Sequence, residues 1–144
     1  MSDRALIGFY DGHILKAVYC HNGGDRYDMG HTLLNYYARP DQAAALIELG
    51  NLSSVGKRLM PMKDEQHSFA HPNFDITLAY HRDRGEPLKI VTVPVEHGIL
   101  QAIQDTHIDG EFCYVYKDGF WTYLAGNSLR RLTERNTTPK RQKR

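Results

Sequence analysis

A chain of 144 residues, 41% hydrophobic and 24% charged, has the length and composition of one globular domain that buries about two-thirds of its unfolded surface. Nothing in it approaches the ~20-residue apolar run of a membrane span, and no signal-peptide core follows Met1, so the expected setting is cytoplasmic, in a bacterial host, with no membrane partner. The net charge of +1 hides an asymmetry: residues 130–144 carry seven basic side chains against Glu134 alone, net +6, which leaves −5 for the rest. That distribution predicts a single domain over 1–132 and a basic, disordered tail over 133–144, able to attract nucleic acid only weakly.

The first elements are two almost continuously apolar strands, Ala5–Tyr10 and Ile14–Cys20, joined by Asp11-Gly12, a dipeptide suited to a type I′ hairpin turn. His21-Asn22-Gly23-Gly24-Asp25 breaks the regularity, and the paired glycines allow a ligand or another backbone to approach closely. A helix is expected from about Gly30 through Leu33, Leu34 and Tyr37. A second runs from Asp41 to Leu49 after Pro40, with Gly50 as its stop. Residues 51–72 read as a long loop.

Strands are expected to resume at Asp75–Tyr80 and Leu88–Val93, followed by a short helix over Gly98–Asp105. The last hairpin pairs Phe112–Tyr116 with Phe120–Leu124 across Lys117-Asp118-Gly119. The sum is an α+β domain: a mainly antiparallel sheet of five or six strands, with two or three short helices packed on one face.

Chemistry is sparse. No phosphate-binding loop, dinucleotide fingerprint, nucleophile elbow or metalloprotease motif is present, and the reading leans toward binding rather than catalysis, with no catalytic residue assigned. Cys20 and Cys113 read as reduced, buried thiols. Cys20 and His21, adjacent on a strand, point to opposite faces and cannot act as a pair. Ser2, exposed if Met1 is removed, is a minor candidate for an N-terminal nucleophile. The eight histidines show no spacing that makes a metal site, and neither metal nor cofactor is expected.

The densest group is Tyr80-His81-Arg82-Asp83-Arg84-Gly85-Glu86, at what reads as a strand exit. Two guanidiniums around a carboxylate serve either internal ion pairing or recognition of an anionic partner. The expected binding set is Tyr19, His21, Asp25, Tyr80, His81, Arg82, Asp83, Arg84 and Glu86, with the 21–28 loop and the 81–86 segment brought together. A rival use of the same residues is a nucleotide-like small molecule: Arg82 and Arg84 would hold its phosphate while Tyr19, Tyr80 or His21 packs on its base. That ligand would be sequestered or, less favoured, processed.

The opening Met1-Ser-Asp-Arg-Ala-Leu-Ile-Gly-Phe-Tyr-Asp11, the Tyr19-Cys20-His21 segment and the Tyr80–Glu86 segment together resemble a group of small, mostly phage-encoded proteins of unknown function. Members of that group open M-[S/G]-T-R, continue through Y-D-G, carry Y-C-H-W-D-G-Y or Y-R-Q-F-D-G-Y after the second strand, and contain Y-x-R-D-R-G-E downstream. Leu49–Ser54 also fits, and the similarity extends over most of residues 1–90. The chain departs from the pattern at Asn22-Gly23-Gly24, where relatives place an aromatic, an acid and a glycine; Tyr27 is the available substitute for the aromatic. The resemblance highlights Tyr19, Cys20, His21, Gly24, Tyr80, Arg82, Asp83, Arg84, Gly85 and Glu86. It implies a host-takeover or counter-defence accessory protein that binds and inhibits a bacterial macromolecule, most plainly a host protein. A homo-oligomer is compatible with everything above.

Overall fold

Burial along the two opening strands dictates a sheet covered on both sides. In β1 (Ala5–Tyr10) Ala5 and Ile7 enter one apolar cluster and Leu6 the opposite one. In β2 (Ile14–Cys20) Val18 and Cys20 join the first cluster and Leu15 and Ala17 the second. Strands buried on both faces need cover on both. A computed structural model, describing residues 3–139, shows how the chain supplies it.

After β2 the chain makes a π-helical turn at Arg26–Gly30, then α1 (His31–Tyr36) and α2 (Pro40–Glu48). Leu33 of α1 and Ala43, Leu46 and Ile47 of α2 close the first face. Pro40 starts α2 with its φ preset and no amide to satisfy, and Gly50 stops the run at φ +80°. Next come β3 (Leu52–Ser54), β4 (Leu78–Ala79), α3 (Tyr80–Arg84), β5 (Val91–Pro94) and α4 (Ile99–Asp105). The chain then forms β6 (Phe112–Lys117), β7 (Phe120–Ala125), β8 (Ser128–Arg131) and a 3-10 turn at Arg135–Thr137. Ile99, Ala102 and Ile103 of α4 pack on Leu6, Leu15, Ala17, Cys113 and Val115, so α4 covers the second face.

The fold is α+β, but the sheet is larger and more mixed than the sequence predicts. Eight strands run in the order β4-β3-β2-β1-β6-β7-β8, with β5 pairing the first half of β2 along the edge that β3 takes at Cys20. The β1–β6 and β2–β3 pairs are parallel and the others antiparallel. The expectation of helices on one face is also corrected, because the almost continuously apolar opening strands would leave Leu6, Leu15 and Ala17 in water without α4.

Both hairpins form. Asp118 and Gly119 both have positive φ, as a type I′ turn requires. In the first hairpin the central residues are Gly12 and His13, and only Gly12 (φ +102°) is positive, so that turn is of the II′ kind. Asp11 closes it by accepting from the His13 and Ile14 amides at 2.8 Å.

Residues 55–77 contain no helix or strand, yet the segment is tied down from beneath. The Tyr37 hydroxyl donates to the Gly56 carbonyl at 2.6 Å, the Gly56 amide donates to Thr77 Oγ1 at 3.0 Å, and the two hydroxyls lie 3.0 Å apart. Gly56 has no room for a side chain: an added Cβ would lie 2.6 Å from backbone atoms of Asp75 and Ile76. At the other end of the chain, residues 133–139, assigned to the tail on charge, include the 3-10 turn, whose last residue, Thr137, is buried. Lys140–Arg144 and Ser2 lie outside the described residues.

Replacing Thr77 with Val keeps the shape of the side chain but strands the buried Gly56 amide. A loss of about 1–3 kcal/mol is expected in urea unfolding, with the slope against denaturant unchanged.

Candidate functional site

Two of the predicted segments meet at Asn51. Its carbonyl accepts the Tyr80 amide at 3.2 Å, and its side-chain Oδ1 accepts the Tyr19 amide at 3.0 Å. Tyr19 therefore sits on one side of this residue and Tyr80 on the other. On β2, Tyr19 and His21 share the α4 side with Ala17, and the Tyr19 hydroxyl and His21 Nδ1 are 2.6 Å apart. Burial pushes the Tyr19 phenol above its ordinary value, opposed by Arg4 and reinforced by Tyr80.

The meeting is confined to these starting points. Because β2 runs parallel to β3 and β3 antiparallel to β4, the chain leaves β2 and β4 in opposite directions. Asn22 turns away to bond the Ser53 carbonyl through its side chain at 3.1 Å. Asp25 caps the π-helical turn, its Oδ1 accepting the Asp28 amide at 2.8 Å, and takes no part in the patch around Tyr80. Gly24 is needed because Asp3 and Ala5 press on it: an added Cβ would lie 2.5 Å from the Asp3 carbonyl oxygen. The close approach foreseen for the glycine pair is thus to backbone at Gly24, and to the Asp28 side chain at Gly23.

The charged segment begins as a single helical turn where the sequence suggests the end of a strand. Asp83 Oδ2 accepts the Ala79 amide at 2.8 Å, and Gly85 at φ +72° ends the turn, with the Gly85 and Glu86 amides returning to the His81 and Tyr80 carbonyls. His81, exposed, donates from Nδ1 to the Glu86 carbonyl at 2.7 Å.

Arg82 faces inward with all five donors engaged. Nε and Nη2 grip Asp83 at 2.9 and 3.0 Å, Nη2 also reaches the Thr77 carbonyl at 2.5 Å, and Nη1 reaches the Leu59 carbonyl at 2.5 Å and Met60 Sδ at 3.5 Å. Burial works to raise the Asp83 carboxyl, but Arg82, the Ala79 amide and His67 together hold it below the ordinary carboxylate value. Arg82 and Asp83 are structural, and no guanidinium donor of Arg82 remains for an outside anion.

Around them lies a network that sequence spacing does not announce. The His67 side chain, 1% exposed, accepts the Asn73 amide at Nδ1 and turns Nε2 toward Asp83 Oδ2 at 3.6 Å, beyond hydrogen-bond range. Glu65 grips Arg58 through two bonds of 2.7 and 2.8 Å and accepts the Met62 amide and the Asn73 side chain. The Arg58 bonds, then the Met62 amide, bring the Glu65 carboxyl down to about 2.

Arg84 behaves differently from Arg82, two residues away. Its side chain is 52% exposed, and its Cζ lies 4.6 Å from the Phe69 ring centroid and 4.9 Å from that of Tyr80. The two rings are stacked at 5.5 Å, and Arg84 Nε donates to Glu86 Oε2 at 2.5 Å. The result is a two-ring platform beneath a fixed, ion-paired guanidinium. Phe69 is the member of this group that sequence reading missed; it comes from the irregular segment, where no periodicity marks it. Cys20 lies on the opposite side of the sheet among buried residues, its thiol pushed up to about 12 by burial.

Among the described residues no helix is long and apolar enough to cross a membrane. Compared with family models, curated proteins and solved structures, the chain matches none.

Arg82→Ala leaves Asp83 buried without its partner and should lower unfolding free energy by about 3 kcal/mol, whereas Arg84→Ala, at an exposed pair, should change it by less than about 1 kcal/mol; chemical denaturation of both variants checks the contrast. Because the Glu65 carboxyl lies below its ordinary value of 4.5, the stability it contributes is present above that pH and is lost as pH falls toward 2. Glu65→Gln should therefore flatten the fall in urea midpoint over that range.

Proposed function

We propose that the chain is a binding protein that engages a bacterial protein through the Phe69, Tyr80 and Arg84 stack together with Tyr19 and His21 across Asn51, and so inhibits or redirects it. This is the behaviour implied by the phage accessory group it resembles. The observation that carries the proposal is the Arg84 guanidinium seated over Phe69 and Tyr80 while half exposed. Tyr and Arg are the residue types that dominate binding energy at protein interfaces, and they contribute most when already held in their bound geometry. Here the stack, the Glu86 ion pair and Asn51 supply that order without drawing the side chains into the core.

Charge favours a protein over a phosphate-bearing ligand at this patch. Arg82 has no donor to offer, and a phosphate approaching Arg84 would meet the Glu86 carboxylate already bonded to its Nε at 2.5 Å. A surface of paired charge and aromatic faces suits a mixed protein surface. His81 and Glu86 lie at its margin, tied by the His81 bond to the Glu86 carbonyl.

The test is affinity capture from bacterial lysate, followed by titration with the purified captured protein. Wild type should retain one bacterial protein in stoichiometric amount, and Arg84→Ala/Tyr80→Ala, shown to be folded by circular dichroism, should bind it about 100-fold more weakly. Equal affinity of the folded double variant contradicts the assignment.

A further inference from the structure

The arginines sort in space by whether a carboxylate faces them. Arg4, Arg39, Arg58, Arg82 and Arg84 each pair with an Asp or Glu. Arg26, Arg130, Arg131 and Arg135 have no ion-pair partner among the described residues. They belong to the π-helical turn, β8 and the closing 3-10 turn.

Arg26 is held flat and left chemically open. Its Nε donates to the Asn136 carbonyl at 2.6 Å and its Nη2 to the Tyr27 hydroxyl at 3.2 Å, while its Cζ lies 4.9 Å from the Tyr123 ring centroid and 5.2 Å from that of Tyr27. Nη1 has no acceptor among the described residues, in contrast to the fully engaged Arg82. Arg130 stands directly across from Tyr123 in the β7–β8 register and so projects on the same side of the sheet as Tyr123, whereas Arg131 projects oppositely and packs over Phe120 at 4.5 Å.

Arg26, Tyr27, Thr133, Arg135, Asn136 and Thr138 line a cleft of about 300 Å³. Tyr27 is 47% exposed. The nearest acids on the π-helical turn are directed elsewhere: Asp25 caps the turn, and Asp28 lies against Gly23 and lines a different cleft with Asn22 and Phe74. Glu134, immediately before the 3-10 turn, is the one acid of residues 130–144.

We propose that this cleft binds single-stranded nucleic acid, with a phosphate on Arg26 and Arg135, Arg130 beside the neighbouring phosphate, and a base on the exposed Tyr27 ring. A planar guanidinium with a free edge suits a phosphate, and an aromatic ring beside it suits a base of any identity; their combination is how single strands are held without sequence readout. This site shares no residue with the Arg84 patch and faces the α1–α2 side of the sheet, so it stands independently of the protein-binding proposal. It also relocates nucleic-acid affinity from the basic terminus to the folded domain.

The test is fluorescence anisotropy of a labelled oligouridine of roughly twelve nucleotides with the full chain, across a salt series. Binding should weaken linearly in log–log form with salt. Arg135→Ala should lower affinity about tenfold and reduce the slope by about 0.7, the value for one lost single-strand phosphate contact. Tyr27→Ala should lower affinity at least about tenfold with the slope unchanged, as loss of base stacking requires. Arg26→Ala should do more than either, and Arg39→Ala, at an exposed, ion-paired arginine outside the cleft, should change nothing. Should Arg26→Ala not fold, Arg135→Ala and Tyr27→Ala, both at exposed positions, carry the test. The proposal is overturned if wild type does not bind the oligonucleotide at low salt, or if folded Arg135→Ala and Tyr27→Ala bind like wild type. It is equally overturned if removal of residues 140–144 alone abolishes binding, or if uridine monophosphate binds as tightly as the oligomer.

Discussion

The five-donor engagement of Arg82 is the constraint from which the candidate surface follows. One guanidinium joins the Leu59 carbonyl of the irregular segment, the Thr77 carbonyl leading into β4, and the Asp83 carboxylate of its own helical turn. Asp83 in turn accepts the Ala79 amide, so the turn is fixed at both its start and its side. A charge drawn largely out of water is tolerable only when its hydrogen-bonding capacity is met, and here it is met by two backbone carbonyls, the Asp83 carboxylate and Met60 Sδ. Those carbonyls belong to a stretch without helix or strand, whose polar groups need partners from elsewhere. The Tyr37–Thr77–Gly56 bonds fasten the same stretch to α1, and Arg58–Glu65 closes it on itself. With residues 55–77 so anchored, Phe69 is in place to stack on Tyr80, and Arg84 has two rings to lie on.

Two neighbouring arginines thus serve opposite ends, and environment separates them. Arg82 is turned toward the Leu59 and Thr77 carbonyls, while Arg84 is turned outward over aromatic faces, with its charge balanced by Glu86. A second division runs across the whole molecule. Among the described residues, Arg58, Arg82 and Arg84 are matched by carboxylates, and Arg26, Arg130, Arg131 and Arg135 are not. Matched charge contributes order and specificity at a surface, whereas unmatched charge creates a field that draws anions. The protein therefore presents two chemically different surfaces on a single sheet.

Local signals in the sequence were good guides to local structure. Asp118-Gly119 marks its hairpin, Pro40 and Gly50 bracket α2, and the apolar spacing of Ile99, Ala102 and Ile103 marks α4. Pairings between distant segments left no such trace. The parallel union of β1 with β6 and the two-residue strand β4 depend on contacts across many residues, too few in β4 to show any period. The Tyr80 segment does begin at a strand exit, directly after β4, but the strand stops at Ala79 and the helical turn that follows was not read; that turn is set by Asp83 and by Gly85, whose positive φ is a helix stop as readily as a loop signal. Internal ion pairing was one of the two readings open for the arginines, but which of them turns inward was not legible, since the Leu59 and Thr77 acceptors that hold Arg82 are main-chain oxygens, which every residue has. Asp25, expected in the binding set, is instead a cap whose Oδ1 accepts the Asp28 amide, a role the sequence reading did not assign to it.

The central claim, that the Arg82 guanidinium holds residues 55–77 in the position that builds the Phe69–Tyr80–Arg84 stack, is tested most directly by hydrogen–deuterium exchange on Arg82→Lys. Lysine keeps the charge but cannot reach both carbonyls and the carboxylate with a planar fork. The account predicts faster exchange across residues 56–84, with β1, β2, β6 and β7 protected as in the wild type. Unchanged protection in that segment, or uniform loss across the whole sheet, would contradict it.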